Sequence, residues 1–171
     1  MDILIIGGTG YMGKTVVQML LDRGDRVTIF SRGSTRPDWW DQVTHIKGDR
    51  DDRPDFMAKL KGKTYDAVFD SQAYRKEDVE SAVETFRGNV GRYLLVSTGS
   101  VYADGKLDSA NKCPYRETDV SWADLDYSYP DGEDAYGVGK RHCEKWLQEE
   151  SRGVDCSIVR IPAVMGWDDP T

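Results

Sequence analysis

Tyr136 and Lys140 stand four residues apart in Ala135-Tyr-Gly-Val-Gly-Lys140, a stretch that opens an expected helix. On a helix, residues i and i+4 share a face, so this phenol and this ammonium can serve one ligand. An unperturbed phenol is a poor base near neutral pH, and a neighbouring cation favours its phenolate. The pair is therefore a candidate acid/base couple in which Tyr136 exchanges the proton. The same spacing recurs in Tyr102-Ala-Asp-Gly-Lys106, but Asp104 and Gly105 put that copy in a loop without helical alignment. Upstream, Val96-Ser97-Thr98-Gly-Ser-Val-Tyr102 ends an apolar run with hydroxyls. They fall just past the carboxyl end of a strand, where an open α/β sheet binds its ligands. A hydroxyl there can donate to a substrate oxygen while Tyr136 exchanges its proton.

A second group of residues is suited to phosphate. Asp2-Ile-Leu-Ile-Ile-Gly-Gly-Thr-Gly-Tyr-Met-Gly13 runs from an apolar strand into glycines and then into a helix. Gly8-Thr9-Gly10-Tyr11-Met12-Gly13 satisfies G-x-G-x-x-G, and Gly7, Gly10 and Gly13 fit the looser G-x-x-G-x-x-G. Glycines here serve a sharp turn, a close backbone approach to pyrophosphate, and tight helix–strand packing. The following helix aims unpaired N–H groups and a partial positive charge at the same place. A dinucleotide is the expected ligand.

Which dinucleotide depends on the tip of the second strand. NAD-binding members of this fold carry Asp or Glu there to accept from the ribose 2′-OH. This chain has Phe30-Ser31-Arg32-Gly33, and Asp22 and Asp25 precede the strand at its wrong end. Arg32 suits a 2′-phosphate, with Ser31 donating a further bond and Arg36 near enough to assist. NADP is thus favoured over NAD.

These groups need a scaffold, and the pattern supplies one. Ile3–Ile6, Val27–Phe30, Val43–Ile46, Ala67–Phe69, Tyr93–Val96 and Cys156–Ile161 read as strands. Thr15–Arg23, Asp55–Leu60, Glu77–Phe86 and Ala135–Glu150 read as helices. Short apolar strands alternating with helices indicate a parallel sheet covered on both faces. The expected fold class is α/β, a Rossmann-type doubly wound parallel sheet. The longest irregular segment, from about Ala103 to Glu133, has the length of a functional loop.

With 171 residues one domain is expected, and the whole of 1–171 reads as the dinucleotide-binding part. The loop Pro162–Thr171 stops where a substrate-binding segment should continue, so a C-terminal substrate domain is expected to be missing. A net charge of −7 disfavours a general electrostatic grip on nucleic acid or anionic membrane. No run reaches the roughly 18 apolar residues of a membrane span, and the first strand leaves no room for a signal peptide. The three cysteines, Cys113, Cys143 and Cys156, lack metal-ligand spacing and read as reduced thiols, which points to the cytoplasm and to no metal. His45 and His142 read as structural.

Taken in order, Gly7–Gly13, Gly48-Asp49, Ser97–Tyr102, Tyr136–Lys140 and Arg160-Ile-Pro-Ala-Val-Met-Gly166 resemble the extended short-chain dehydrogenase/reductase family. That family includes NAD(P)-dependent epimerases, dehydratases and reductases. The resemblance implies a catalytic triad of Thr98, Tyr136 and Lys140, with Thr98 polarising the substrate oxygen and Lys140 also holding the nicotinamide ribose. It implies Asp49 near the adenine, a small hydroxyl or keto substrate such as a sugar nucleotide, and hydride transfer. Dimerisation through a helix pair like Glu77–Phe86 and Ala135–Glu150 is common in the family, so a homodimer is a candidate assembly, while the sequence leaves the oligomeric state open. Ala163 stands where sugar-nucleotide enzymes often carry Asn, and only Tyr74–Arg92 spans the gap between the fourth and fifth strands. Val27–Gly33 and His45–Asp51 are also similar to a divergent branch containing chloroplast stem-loop RNA-binding proteins. A weakly catalytic scaffold or RNA-binding protein is therefore the alternative, against which Tyr136, Lys140 and the acidic charge weigh.

Overall fold

Successive strand residues point to opposite sides of a sheet, and here both sides are apolar. In β1 (Asp2–Ile6), Leu4 and Ile6 join one buried cluster while Ile3 and Ile5 join another. The computed structural model describes residues 1–102, 116–119, 127–128 and 135–166. β1, β2 (Arg26–Ser31), β3 (Thr44–Lys47), β4 (Tyr65–Asp70), β5 (Val90–Thr98) and β6 (Cys156–Ile161) form one parallel sheet, ordered 3-2-1-4-5-6. The helices are α1 (Tyr11–Asp22), α2 (Arg53–Leu60), α3 (Lys76–Phe86) and α4 (Ala135–Glu150).

Each helix buries its apolar stripe against one side. Val17 of α1 packs with Ile3, Ile5, Val27 and Ile29. On the other side, Phe56 and Leu60 of α2, Val79 to Phe86 of α3, and Cys143 and Leu147 of α4 meet Leu4, Ile6, Val68 and Leu95. This is the doubly wound Rossmann-type sheet that the alternating pattern predicts. Its strand order reverses between β1 and β4, and ligands of such sheets bind at the carboxyl ends beside that point.

The differences are at element ends. β5 begins at Val90, not Tyr93, because Val90 pairs with Tyr65 although Gly91 and Arg92 are exposed and break the apolar run. β4 likewise extends from Tyr65 to Asp70. α1 starts at Tyr11, directly after the glycine turn, and Gly13 is a packing residue inside its first turn. No α-helix joins β2 to β3; the buried Trp39 and a single 3-10 turn, Trp40–Gln42, cover that crossing.

Most of the long loop Ala103–Glu133, with Lys106 and Cys113, lies outside the described residues. His45 sits in β3 and His142 on α4, where its Nε2 is 3.0 Å from the Tyr127 carbonyl oxygen. Among the described residues, no helix is long and apolar enough to cross a membrane.

Candidate functional site

β1 ends in a turn that only glycine makes easily. Gly7 and Gly8 adopt φ of +99° and +86°, and a Cβ on Gly7 would lie 2.5 Å from the Ser71 hydroxyl. A Cβ on Gly13 would lie 2.6 Å from the Cα of Gly8, so α1 rests directly on the strand's exit. Gly10 differs: its backbone is extended, and nothing lies within 4 Å of where its Cβ would be. It is the N-cap of α1, no side chain caps that helix, and the first turn carries no acidic residue. The N–H groups of that turn are left for a ligand, and the empty space before them is what a pyrophosphate needs.

One cleft of about 520 Å³ runs from these glycines in both directions. Gly7, Gly8, Thr9, Gly10, Tyr11, Met12 and Gly13 form its middle. Ser31, Arg32 and Asp49 line one end, Tyr136 and Lys140 the other. The volume is ordinary for a small-molecule site, and the lining follows a dinucleotide's chemical order, so the residues present fit that group. After β6, Gly166 packs on the hydroxyl of Tyr11 at the start of α1.

At the far end, α4 is held so closely that its first turn has no space for side chains on its inner side. A Cβ on Gly137 would approach the Ser100 carbonyl oxygen to 3.0 Å, and one on Gly139 would collide with the Tyr74 carbonyl oxygen. Tyr136 is 45% exposed into the cleft, while Lys140 is buried. The Lys140 ammonium donates to the carbonyls of Ala73 and Val96, both at 2.7 Å. An ammonium has three donors, so one remains for a ligand. Burial holds the Lys140 pKa below its ordinary value, opposed by the nearby Cys143, Asp70, Asp78 and Glu144.

Thr98 is placed differently from the other expected residues. It is 8% exposed and does not line the cleft wall. Its Oγ1 donates to the Ser100 Oγ at 3.3 Å and accepts from the Ser100 N–H at 3.2 Å. Ser31 also has a partner of its own: its Oγ is 3.1 Å from His45 Nε2. Arg32 is exposed at the cleft's edge, and Arg36 lies 5.6 Å from the Trp40 ring. Asp49 is exposed and accepts from the Asp51 N–H at 3.1 Å.

Three features escaped sequence reasoning. Tyr74 lines the same end of the cleft as Tyr136, their ring centroids 6.0 Å apart. Glu144, fully buried one turn beyond Lys140, receives the Arg160 guanidinium and the Ser97 hydroxyl. Helical spacing from Tyr136 through Lys140 to Glu144 was the available signal. Arg50, next to Asp49, is buried over the Phe56 ring at 3.9 Å. It donates to the Ser81 hydroxyl, the Asp78 carbonyl and, at 3.4 Å, the Asp70 carboxylate.

Comparison with known proteins agrees with this architecture. A curated relative, the chloroplast stem-loop binding protein of 41 kDa b from Arabidopsis thaliana, is 29% identical over 180 residues. The match covers 96% of this chain and 42% of that protein. The Bordetella bronchiseptica enzyme WbmH, solved in complex with NAD+, superposes with a TM-score of 0.73 at 21% identity, covering 99% of this chain and 58% of WbmH. The UDP-N-acetylglucosamine 4-epimerase from Bacillus cereus gives 0.71 at 20% identity, covering 100% and 62%. This chain thus spans about half the length of the proteins it matches. The NAD dependent epimerase/dehydratase family matches residues 3–170, nearly the whole chain, and the protein belongs to that family.

Proposed function

We propose that the protein is an NAD(P)-dependent epimerase, dehydratase or reductase acting on a small hydroxyl or keto substrate, with sugar nucleotides first among the candidates. The observation that carries this reading is the single cleft joining the glycine turn to Tyr136 and Lys140. A bound nicotinamide dinucleotide would supply the hydride acceptor and donor. The chain's own part is to bind, orient and move a proton. The first-turn N–H groups of α1 hold pyrophosphate, and Arg32 at the edge favours a 2′-phosphate, hence NADP over NAD. The remaining Lys140 donor holds the nicotinamide ribose. Tyr136 takes or gives the proton of the reacting oxygen, and Thr98 would polarise that oxygen only by turning its hydroxyl from Ser100 into the cleft.

The Arabidopsis relative's stem-loop binding supports a second reading, a dinucleotide-binding protein that recognises RNA with little turnover. The net charge of −7 speaks against it. A test in the full-length protein uses UDP-sugars and simple carbonyls as substrates. Tyr136→Phe should lower turnover about 10²- to 10⁴-fold while cofactor affinity stays unchanged. Turnover equal to wild type in that variant would exclude Tyr136 as the acid/base. Cofactor and RNA binding without any turnover would favour the second reading.

A further inference from the structure

The end of the cleft holds two phenols, of which the family reading uses one. Tyr74 lies between β4 and α3 and is 43% exposed, beside Tyr136 at 45%. Its ring centroid is 4.7 Å from the Lys140 ammonium, nearer than that of Tyr136 at 5.9 Å. Both ends of its peptide are fixed. The Tyr74 N–H donates to Asp78 Oδ2 at 2.9 Å, and its carbonyl is packed against α4 at Gly139. Asp78 is itself held by Arg53 at 2.9 Å, and the preceding Ala73 carbonyl accepts from Lys140. A large aromatic ring fixed at its backbone, yet left nearly half exposed in a cleft, forgoes burial that packing alone would favour. The residue lines the cleft beside Tyr136.

Resting on the proposed oxidoreduction chemistry, we propose that Tyr74 is a substrate-binding residue: its phenol binds the oxygen next to the reacting one, selecting vicinal diols and α-hydroxy ketones over isolated alcohols and ketones. Tyr136 serves the reacting oxygen, and Tyr74, its ring centroid 6.0 Å away on the same side of Lys140, serves the neighbouring one. Burial raises the Tyr74 pKa above the ordinary phenol value, and the charges of Tyr136 and Asp70 add to it, against a hydrogen bond from Gln72. Tyr74 therefore stays a protonated donor.

The test compares Tyr74→Phe with Tyr136→Phe in the full-length protein. Phenylalanine keeps the ring over Lys140 and removes only the hydroxyl. Substrate pairs differ by one neighbouring oxygen: acetoin against 2-butanone with NADPH, and UDP-glucose against its deoxy analogues with NADP+. Tyr74→Phe should raise KM about three- to tenfold for the vicinal member of a pair, the range of one neutral hydrogen bond. KM for the other member, kcat and cofactor affinity should stay within twofold. Equal KM changes for both members, or none, would overturn the assignment while leaving the Tyr136 chemistry standing. Absence of any Tyr136-dependent turnover across the panel would overturn both.

Discussion

Glu144 and Arg160 form a buried two-pronged ion pair, with Arg160 Nη2 at 2.8 Å from Oε2 and Nε at 3.0 Å from the same oxygen. Arg160 also donates to the Tyr102 hydroxyl at 2.9 Å, and Ser97 donates to the carboxylate from the end of β5. One carboxylate thereby ties α4, β5, β6 and the turn after β5 together, one residue before Thr98. Removing one member of a buried pair leaves an uncompensated charge. Glu144→Ala should lower unfolding stability by about 3–5 kcal/mol in urea denaturation. A loss below about 1 kcal/mol would show that water or neighbouring groups solvate the freed Arg160.

Gly10 and Gly13 should respond in opposite ways. Gly10→Val adds a side chain in open space on extended backbone, so the fold should persist while cofactor affinity falls. Gly13→Val drives a side chain into the backbone of Gly8 and should destabilise the fold itself. Calorimetric titration with NADP+, paired with thermal melting, separates the two. Unchanged affinity in a folded Gly10→Val protein would remove the pyrophosphate assignment.

Arg32 should set the choice of dinucleotide. A hydrogen bond to a charged group contributes roughly 1.5–3 kcal/mol, about ten- to a hundredfold in affinity. NADP+ should bind better than NAD+ by that factor, and Arg32→Ala should erase most of the difference. Ser31 should add less than Arg32, because His45 already shares its hydroxyl. Equal affinity of the unmodified protein for the two cofactors would refute the preference.

Tyr93 should shape the alkaline stability. It is fully buried and donates to Asp70 Oδ2 at 2.8 Å. Burial, followed by the Asp70 charge, lifts its pKa well above the ordinary phenol value of about 10. The folded value exceeds the unfolded one, so the contribution is complete below pH ~10 and declines as pH rises from there toward the folded pKa. Tyr93→Phe should cost about 1–3 kcal/mol near neutrality and flatten the loss of stability above pH 10. An unchanged alkaline slope would show that other groups govern it.

The sheet was legible in the sequence because buried parallel strands are continuous apolar runs, as Ile3–Ile6 and Val27–Phe30 are. The glycine turn was legible because Gly7 and Gly8 need positive φ and Gly13 permits contact, constraints that act on residue type. Tyr136 and Lys140 share a helix, so their spacing carried the geometry. Tyr74 lacked such a signal: it reaches the site only because the β4–α3 connection lies across α4, a non-local contact. Arg50 was hidden for a related reason, since its partners Asp70, Asp78 and Ser81 come from two later elements. Thr98 ends β5, as the apolar run implied, but its hydroxyl is tied to Ser100 and it does not line the cleft.

The tight seating of Gly137 and Gly139 bears on how such a site diversifies. The inner side of that helical turn offers no volume to trade, since larger residues there would lift α4 off two carbonyls and carry Tyr136 and Lys140 with it. Variation that leaves α4 seated is therefore channelled outward, to positions such as Tyr74, Val164 and Met165 that already face open space. Directed libraries randomised at those three positions should retain cofactor binding far more often than libraries that include residues 137 and 139.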